Sequence, residues 1–393
     1  MIELKEIVNF NKDELFIPSE KWEFLKNNYS KEEIKKAISE AIDKYHIPMP
    51  LRKITEVDAE SDYKSLINLS TSNMINKADN LYTRYNYKYK LSNFYISQIK
   101  LGNISSDYYQ QYNRFLCDSV NAPSPFRSWY NPKFRDGVLN ALFTLKFKEV
   151  TMASLRSCIA LRKYIASQFK PSAAKFMYDF FDAKNVLDFS SGWGDRLSGF
   201  CSSENTISYT GIDPNKRVFD GYLKQKEMYF KYKNKKVELI ESPAEDLNLE
   251  KLGKKFDFIF TSPPYFNVER YTHEGNQSWK RYKKLEDWLN NFLFVVLKKA
   301  WDCLEQNGVM AINISDVYSG HKINKICDPM NDFIASLEGS NYMGCLGMKM
   351  SKRPNSKSSI IGGVFVEPIW IFSKGNKKTL QEHIENKRID SND

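Results

Sequence analysis

Five short apolar runs constrain this chain more than any other feature: NVLDF (185–189), ISYTGID (207–213), KVELI (236–240), FDFIFTS (256–262) and GVMAINIS (308–315). Helical stretches lie between them, notably PNKRVFDGYLKQKEMYFKYK (214–233) and LEDWLNNFLFVVLKKAWDCLEQ (285–306). Alternation of this kind predicts a mostly parallel sheet covered by helices on both faces. Two late segments, YMGCLGMKM (342–350) and GGVFVEPIWIFSK (362–374), predict a terminal antiparallel hairpin. The expected class is α/β, a doubly wound sheet preceded by a mainly helical N-terminal region.

Upstream the pattern changes. SKEEIKKAISEAIDKY (30–45) carries apolar residues at helical spacing, and Ser30 with Glu33 matches a capping box. The prolines of HIPMPLRK (46–53) end that helix. LYTRYNYKYKLSNFYISQIK (81–100) offers aromatics and lysines for stacking on bases and tracking phosphates, or a surface that packs on the main domain, and the second reading is favoured. NAPSPFRSWYNPKF (121–134) is rich in turn residues and reads as a linker. The expected division is an accessory region at 1–130, a linker and lead-in helix at 131–164, the sheet domain at 165–375 and a polar tail at 376–393.

The chain has 393 residues and a formal net charge of +10, a surplus that favours a polyanionic partner such as nucleic acid. Its 6 cysteines are scattered without a CxxC pair, so reduced, mostly buried thiols are expected and no metal site. The start, MIELKEIVNFNKDELF, lacks the pattern of a signal peptide, and no stretch approaches the ~20 apolar residues of a membrane span. A soluble intracellular protein is expected.

The chemistry-bearing motifs fall at the carboxyl ends of the expected strands, where doubly wound sheets bind ligands. In VLDFSSGWGDRLSGF (186–200), Asp188 ends a strand and Ser190, Gly192, Trp193 and Gly194 form the turn. The glycines let backbone approach a ligand closely, and the carboxylate can accept an ammonium group. Asp213, ending the next strand, suits the two hydroxyls of a ribose or serves as a helix cap. Glu245 and Asp246 follow the third strand, within reach of an adenine amino group or as plain surface acids. FDFIFTSPPYF (256–266) is decisive: Ser262, Pro263, Pro264 and Tyr265 form a rigid exit. The Ser262 hydroxyl and the Pro263 carbonyl can accept hydrogen bonds from an amino group, while Tyr265 offers a flat face for a planar base.

The order of these segments resembles the amino-methyltransferases of DNA, the N4-cytosine and N6-adenine group. Their catalytic motif, a polar residue followed by Pro-Pro and an aromatic residue, is matched by Ser262, Pro263, Pro264 and Tyr265. Their cofactor motif is matched by 188–195, and QFKPSAAKFMYDFF (168–181) is similar to the segment that caps the methionine end of the cofactor, through Phe169, Lys170, Pro171 and Ser172. SPPYFNVERYTHEGNQS (262–278) is similar to the loop after the catalytic motif. The similarity covers roughly 165–375. Two features depart from it: Ser-Ser-Gly-Trp-Gly-Asp replaces the commoner Gly-x-Gly, and Ser262 stands where Asp or Asn is usual. Within the family Ser leans towards cytosine.

The resemblance implies a Rossmann-like domain, S-adenosyl-L-methionine as cofactor, and methyl transfer to an exocyclic amino group of a flipped-out base. DNA is the expected substrate, with RNA adenine methylation or an inactive nucleic-acid-binding subunit as the alternatives. KRYKK (280–284) and KMSKRPNSK (349–357) are expected to contact phosphates through Lys280, Arg281, Lys283, Lys284, Lys352 and Arg353.

Overall fold

The computed structural model describes residues 2–3, 8–9, 14–351 and 362–390. The chain forms two compact units, each assembled from separated segments. The first comprises Met1–Ile54, Gln111–Ser167 and Glu269–Thr272; the second comprises Thr55–Gln110, Gln168–Val268 and His273–Asp393.

The first unit is mainly helical. Its helices Ser19–Asn28, Lys31–Lys44, Pro132–Thr144 and Met152–Arg162 enclose an apolar core that includes Trp22, Ile34, Ile38, Trp129 and Leu139. Ser30 and Glu33 form the expected capping box. Arg135 is fully buried there, bonded to the carbonyl and hydroxyl of Ser39 and paired with Asp43 at 2.6 Å. Glu269–Arg270 pairs antiparallel with Asp118–Ser119 inside this unit.

The second unit holds the sheet. In chain order its nine main strands are β1 (Ile75–Lys77), β2 (Phe94–Ile96), β3 (Asn185–Asp188), β4 (Ser208–Asp213), β5 (Lys236–Glu241), β6 (Phe256–Thr261), β7 (Leu304–Asn313), β8 (Ser340–Lys349) and β9 (Val364–Lys374). Across the sheet they run β1-β2-β8-β9-β7-β6-β3-β4-β5. Strands β7, β6, β3, β4 and β5 are parallel, and β9 enters antiparallel between β7 and β8. The doubly wound sheet and its terminal hairpin are as the sequence predicts.

Successive residues of the central strands point to opposite faces. Val186, Phe258, Phe260, Ala311 and Ile371 enter one core; Leu187, Ile259, Met310, Ile312 and Trp370 enter the other. Helices Pro171–Phe180 and Asp195–Ser202 supply side chains to the first core, and Phe294–Cys303 and Cys327–Ala335 to the second. Burial on both faces explains why these strands read as continuous apolar runs.

The expected boundaries at 130, 164 and 375 differ from the observed ones. Residues 55–110 belong to the sheet unit, because β2 joins β8 and because Tyr87 and Tyr89 pack on its core. The Tyr87 ring meets Trp370 edge-on at 5.0 Å, so packing, not base stacking, accounts for these aromatics. The expected linker is instead helical, through Pro125–Tyr130 and Pro132–Thr144, each with Pro in its first turn. The C-terminal stretch contains helix Leu380–Asp390, whose Leu380 and Ile384 are buried in the first core. All six cysteines are buried and none forms a disulfide. Among the described residues no helix is long and apolar enough to cross a membrane.

Candidate active site at the carboxyl edge of the sheet

Strand register assembles the site. Asp188 faces Gly211, Leu187 faces Ile259, and Thr261 faces Ile312. Past the strand ends, the glycine turn meets Asp213 through the Gly192 amide, and Ser262 meets Asn313, with neighbouring strands about 4.8 Å apart. The chain order reverses between β3 and β6, and such a reversal opens a crevice at the carboxyl ends.

Asp213 and the glycine turn are locked together. The Asp213 carboxylate accepts the Gly192 and Asn215 amides, each at 2.9 Å. Burial pushes its pKa up to about 7, against the lowering effect of those two amides. Gly192 has φ of +61°, and a Cβ there would meet nothing closer than 3.9 Å. Its bare face therefore looks onto open space. Gly194, at φ of +76°, has no such room, because a Cβ would overlap the Gln225 side chain. Gln225 donates to the Trp193 carbonyl at 3.1 Å and Tyr222 donates to the Gly192 carbonyl, which holds the turn from behind. Trp193 is itself buried.

Asp188 has another partner than the expected ammonium. It is fully buried and pairs with both Nε and Nη2 of Arg196, at 2.8 and 3.2 Å, while Tyr209 donates to it at 2.7 Å. Arg196 also donates to the Ser190 carbonyl and lies 5.3 Å from the centre of the Phe169 ring. Burial works against the guanidinium charge, but Asp188 overrides it and holds the pKa up. Asp195 fixes the segment before helix Pro171–Phe180: it accepts the Phe169 amide and the Gln168 side chain, both at 3.1 Å, and the Ser106 hydroxyl. Lys170 donates to the Lys349 carbonyl at 2.7 Å, and burial draws its pKa down to about 8. Pro171 opens the helix, and Ser172 is buried and bonded to the Ile99 carbonyl at 2.7 Å. Lys170 and Ser172 thus anchor the segment, and its ring, Phe169, lies beside Arg196.

The Ser-Pro-Pro-Tyr corner is braced from two strands. Ser262 donates to Asn313 Oδ1 at 3.3 Å, and Asn313 donates in turn to the Pro368 carbonyl at 3.0 Å. The Tyr265 hydroxyl donates to Glu367 of β9 at 2.8 Å. Burial raises the Tyr265 pKa well above its ordinary value, and the Glu367 charge adds to the rise, so the phenol stays protonated. Phe266 follows with φ of +54°, a left-handed geometry that strains a residue with a bulky side chain. Its burial against Trp288, 5.9 Å between ring centres, holds that bend.

Several expected contacts are rearranged. Arg281 pairs with Glu245 at 2.8 Å and with both oxygens of Asp246 at 2.9 Å. The expected adenine acceptors and one expected phosphate ligand thereby satisfy one another. Lys280 donates to the His273 carbonyl. Lys283 and Lys284 are exposed. Lys352 and Arg353 lie outside the described residues.

The sequence reading missed Arg196, Asn313 and Glu367. Two had a visible signal: Asn313 is a polar residue ending an apolar strand, and Glu367 interrupts the apolar run VFVEPIWIF. The pairing of Asp188 with Arg196 had none, since spacing alone does not tell which of two charges meets a ligand.

A comparison with curated proteins gave no match. Among solved structures the chain is similar to TrmN from Thermus thermophilus, at 14% identity over 57% of this chain and 53% of that one, with a TM-score of 0.36. It is similar also to a putative RNA methyltransferase from Pyrococcus horikoshii (15% identity, 52% and 82% covered, TM-score 0.31). A third is a SAM-dependent methyltransferase from Agrobacterium tumefaciens (13%, 55% and 65%, 0.37). The chain thus spans about half the length of TrmN, and likenesses this distant carry no argument about activity. A family model described as DNA methylase matches residues 256–393, the stretch that opens with β6 and contains the Ser262–Tyr265 corner, Asn313 and Glu367. Over residues 256–393 the chain is thus similar to the DNA methylase family.

Proposed function

We propose that this protein uses S-adenosyl-L-methionine to methylate an exocyclic amino group of a DNA base, with N4 of cytosine favoured over N6 of adenine. The observation that carries the reading is that three adjacent strands, β4, β3 and β6, lead into Asp213, the glycine turn and the Ser262–Tyr265 corner, with Ser262 and Tyr265 each held by a second side chain. The open face of Gly192 and the remaining acceptor capacity of Asp213 fit the cofactor's ribose, and Phe169 fits its methionine end. Asp188 acts through Arg196 and has no exposed surface for a ligand.

The cofactor supplies an electrophilic methyl group on sulfur. An exocyclic amine is a poor nucleophile because its lone pair is shared with the ring. The Ser262 hydroxyl and the Pro263 carbonyl accept its two N–H bonds, turn the nitrogen towards the methyl and stabilise the positive charge that develops on it. Tyr265 stacks on the base and fixes its plane, so positioning supplies much of the rate. No strong base is needed, because the cationic product is acidic and loses its proton to water. A duplex base must leave the stack to reach such a corner.

Incubation with isotope-labelled cofactor and matched DNA and RNA oligonucleotides, followed by nucleoside mass spectrometry, tests the proposal. Labelled N4-methylcytosine or N6-methyladenine in DNA is the expected product. Label confined to RNA would move the substrate, and label in neither would reject the assignment.

Asp213 gives a pH-dependent prediction. Its folded value, about 7, lies above the ordinary 3.8, so it lowers the stability of the cofactor-free protein as pH rises through that window. Ribose hydroxyls donate to the charged carboxylate, so cofactor affinity rises between about pH 6 and 8. In D213N the affinity is weaker and this pH-dependence is lost. Calorimetric titration across the range measures both; an unchanged profile in D213N would remove Asp213 from the ribose site.

A further inference from the structure

We infer that a basic cleft within the helical unit binds the phosphodiester backbone of the nucleic-acid substrate. The cleft encloses about 470 Å³ and is lined by Lys31, Gly137, Asn140, Thr144, Arg162 and Lys163, together with the Phe143 ring. A site of this volume falls in the ~300–1,000 Å³ range of ligand pockets and exceeds what one small anion fills.

Its construction follows from three helices. Helix Pro132–Thr144 forms one wall, with Gly137, Asn140 and Thr144 spaced by 3 and 4 residues and so sharing a face. At Gly137 a Cβ would meet nothing within 4 Å, which leaves that face open to a close-lying chain. Lys31 opens helix Lys31–Lys44, with its ammonium 5.7 Å from the centre of the Phe143 ring. Arg162 ends helix Met152–Arg162 and Lys163 caps it. Thr144 accepts a bond from Arg162 at 3.1 Å, which aims the guanidinium along the wall.

Charge decides the ligand. Lys31, Arg162 and Lys163 form no ion pair among the described residues, and no carboxylate lines the cleft. The acids next to these residues in the chain are engaged elsewhere: Asp136 with Lys35 at 2.9 Å, Glu32 with the same lysine at 3.7 Å, and Glu33 in the capping box with Ser30. Three cations from two helices, with the Asn140 amide beside them, suit successive phosphates of one strand. Such contacts hold a polynucleotide in place without reading its sequence. The inference rests on the proposed nucleic-acid function and adds to it a place where the substrate is gripped.

The test uses the full chain and a triple variant, K31Q/R162Q/K163Q, with K31E alone as a second variant that leaves the Arg162–Thr144 bond in place. Binding of a fluorescent DNA duplex and a matched RNA is measured over a series of salt concentrations. The triple variant is expected to bind at least about tenfold more weakly at low salt. Its plot of log affinity against log salt is expected to be shallower by about 2–3, roughly 0.7–0.9 per lost phosphate contact. K31E weakens binding in the same direction, and cofactor affinity by calorimetry stays unchanged in both. An unaltered slope in the triple variant, with wild-type binding intact, would overturn the cleft and leave the proposed function standing. Failure of the wild type itself to bind either nucleic acid would overturn the proposed function, and this inference with it.

Discussion

Replacing Arg196 by Met lowers the stability of the sheet unit by about 3–5 kcal/mol, the usual consequence of leaving one partner of a buried ion pair alone. Asp188 is fully buried, and without the guanidinium its oxygens keep only the Tyr209 hydroxyl and the Ser190 amide. The Ser190 carbonyl loses a donor in the same stroke, so the loss falls directly on the glycine turn. Urea unfolding followed by tryptophan fluorescence measures the effect. Two further variants separate the charge from the packing. R196K restores part of the stability by returning a cation. D188N/R196M is less destabilised than R196M alone, because the orphaned charge has gone. A loss under about 1 kcal/mol in R196M would mean that the pair does not hold the turn.

The largest catalytic effect is expected at the corner. S262A and Y265A each lower the single-turnover rate by about 10²-fold or more, the scale on which enzymes lose a group that stabilises charge in the transition state. Cofactor affinity changes by less than about threefold in both, since the proposed ribose and methionine contacts are made by other residues. Y265F separates the two duties of the tyrosine. It keeps the flat ring and loses the bond to Glu367, so its rate falls between wild type and Y265A. E367Q keeps an acceptor for the phenol and stays close to wild type, whereas E367A follows Y265F. Equal loss of rate and cofactor affinity in Y265A would count against a ring that contacts only the base.

The central strands were legible because burial on both faces leaves continuous apolar runs, and the corner at 262–265 because two prolines end a strand in only a few ways. The positions of Asp213, the glycine turn and the Ser-Pro-Pro-Tyr motif at strand ends could therefore be read from the chain alone. The partners of charged groups could not. Asp188, Glu245 and Asp246 read as ligand acceptors, yet each meets an arginine of the chain, Arg196 or Arg281. The deciding quantity is three-dimensional: a carboxylate shut away from water needs a cation of its own. Domain division was misjudged for a related reason. Composition shifts mark local character, whereas β2 joins β8 across some 250 positions, a link with no local trace.

The bulged start of β7 tells where this chain tolerates changes in length. Phe256 faces Leu304 but Phe258 faces Val309, so the extra residues form an outward bulge at Glu305–Asn307, all exposed, with Asn307 in a left-handed conformation. Beyond it, a single inserted or deleted residue in β6 or β7 would exchange the two cores and uncouple Asn313 from Ser262. Length variants confined to that bulge leave the far edge undisturbed, which makes it the natural seam for grafting a tag or a reporter into the protein.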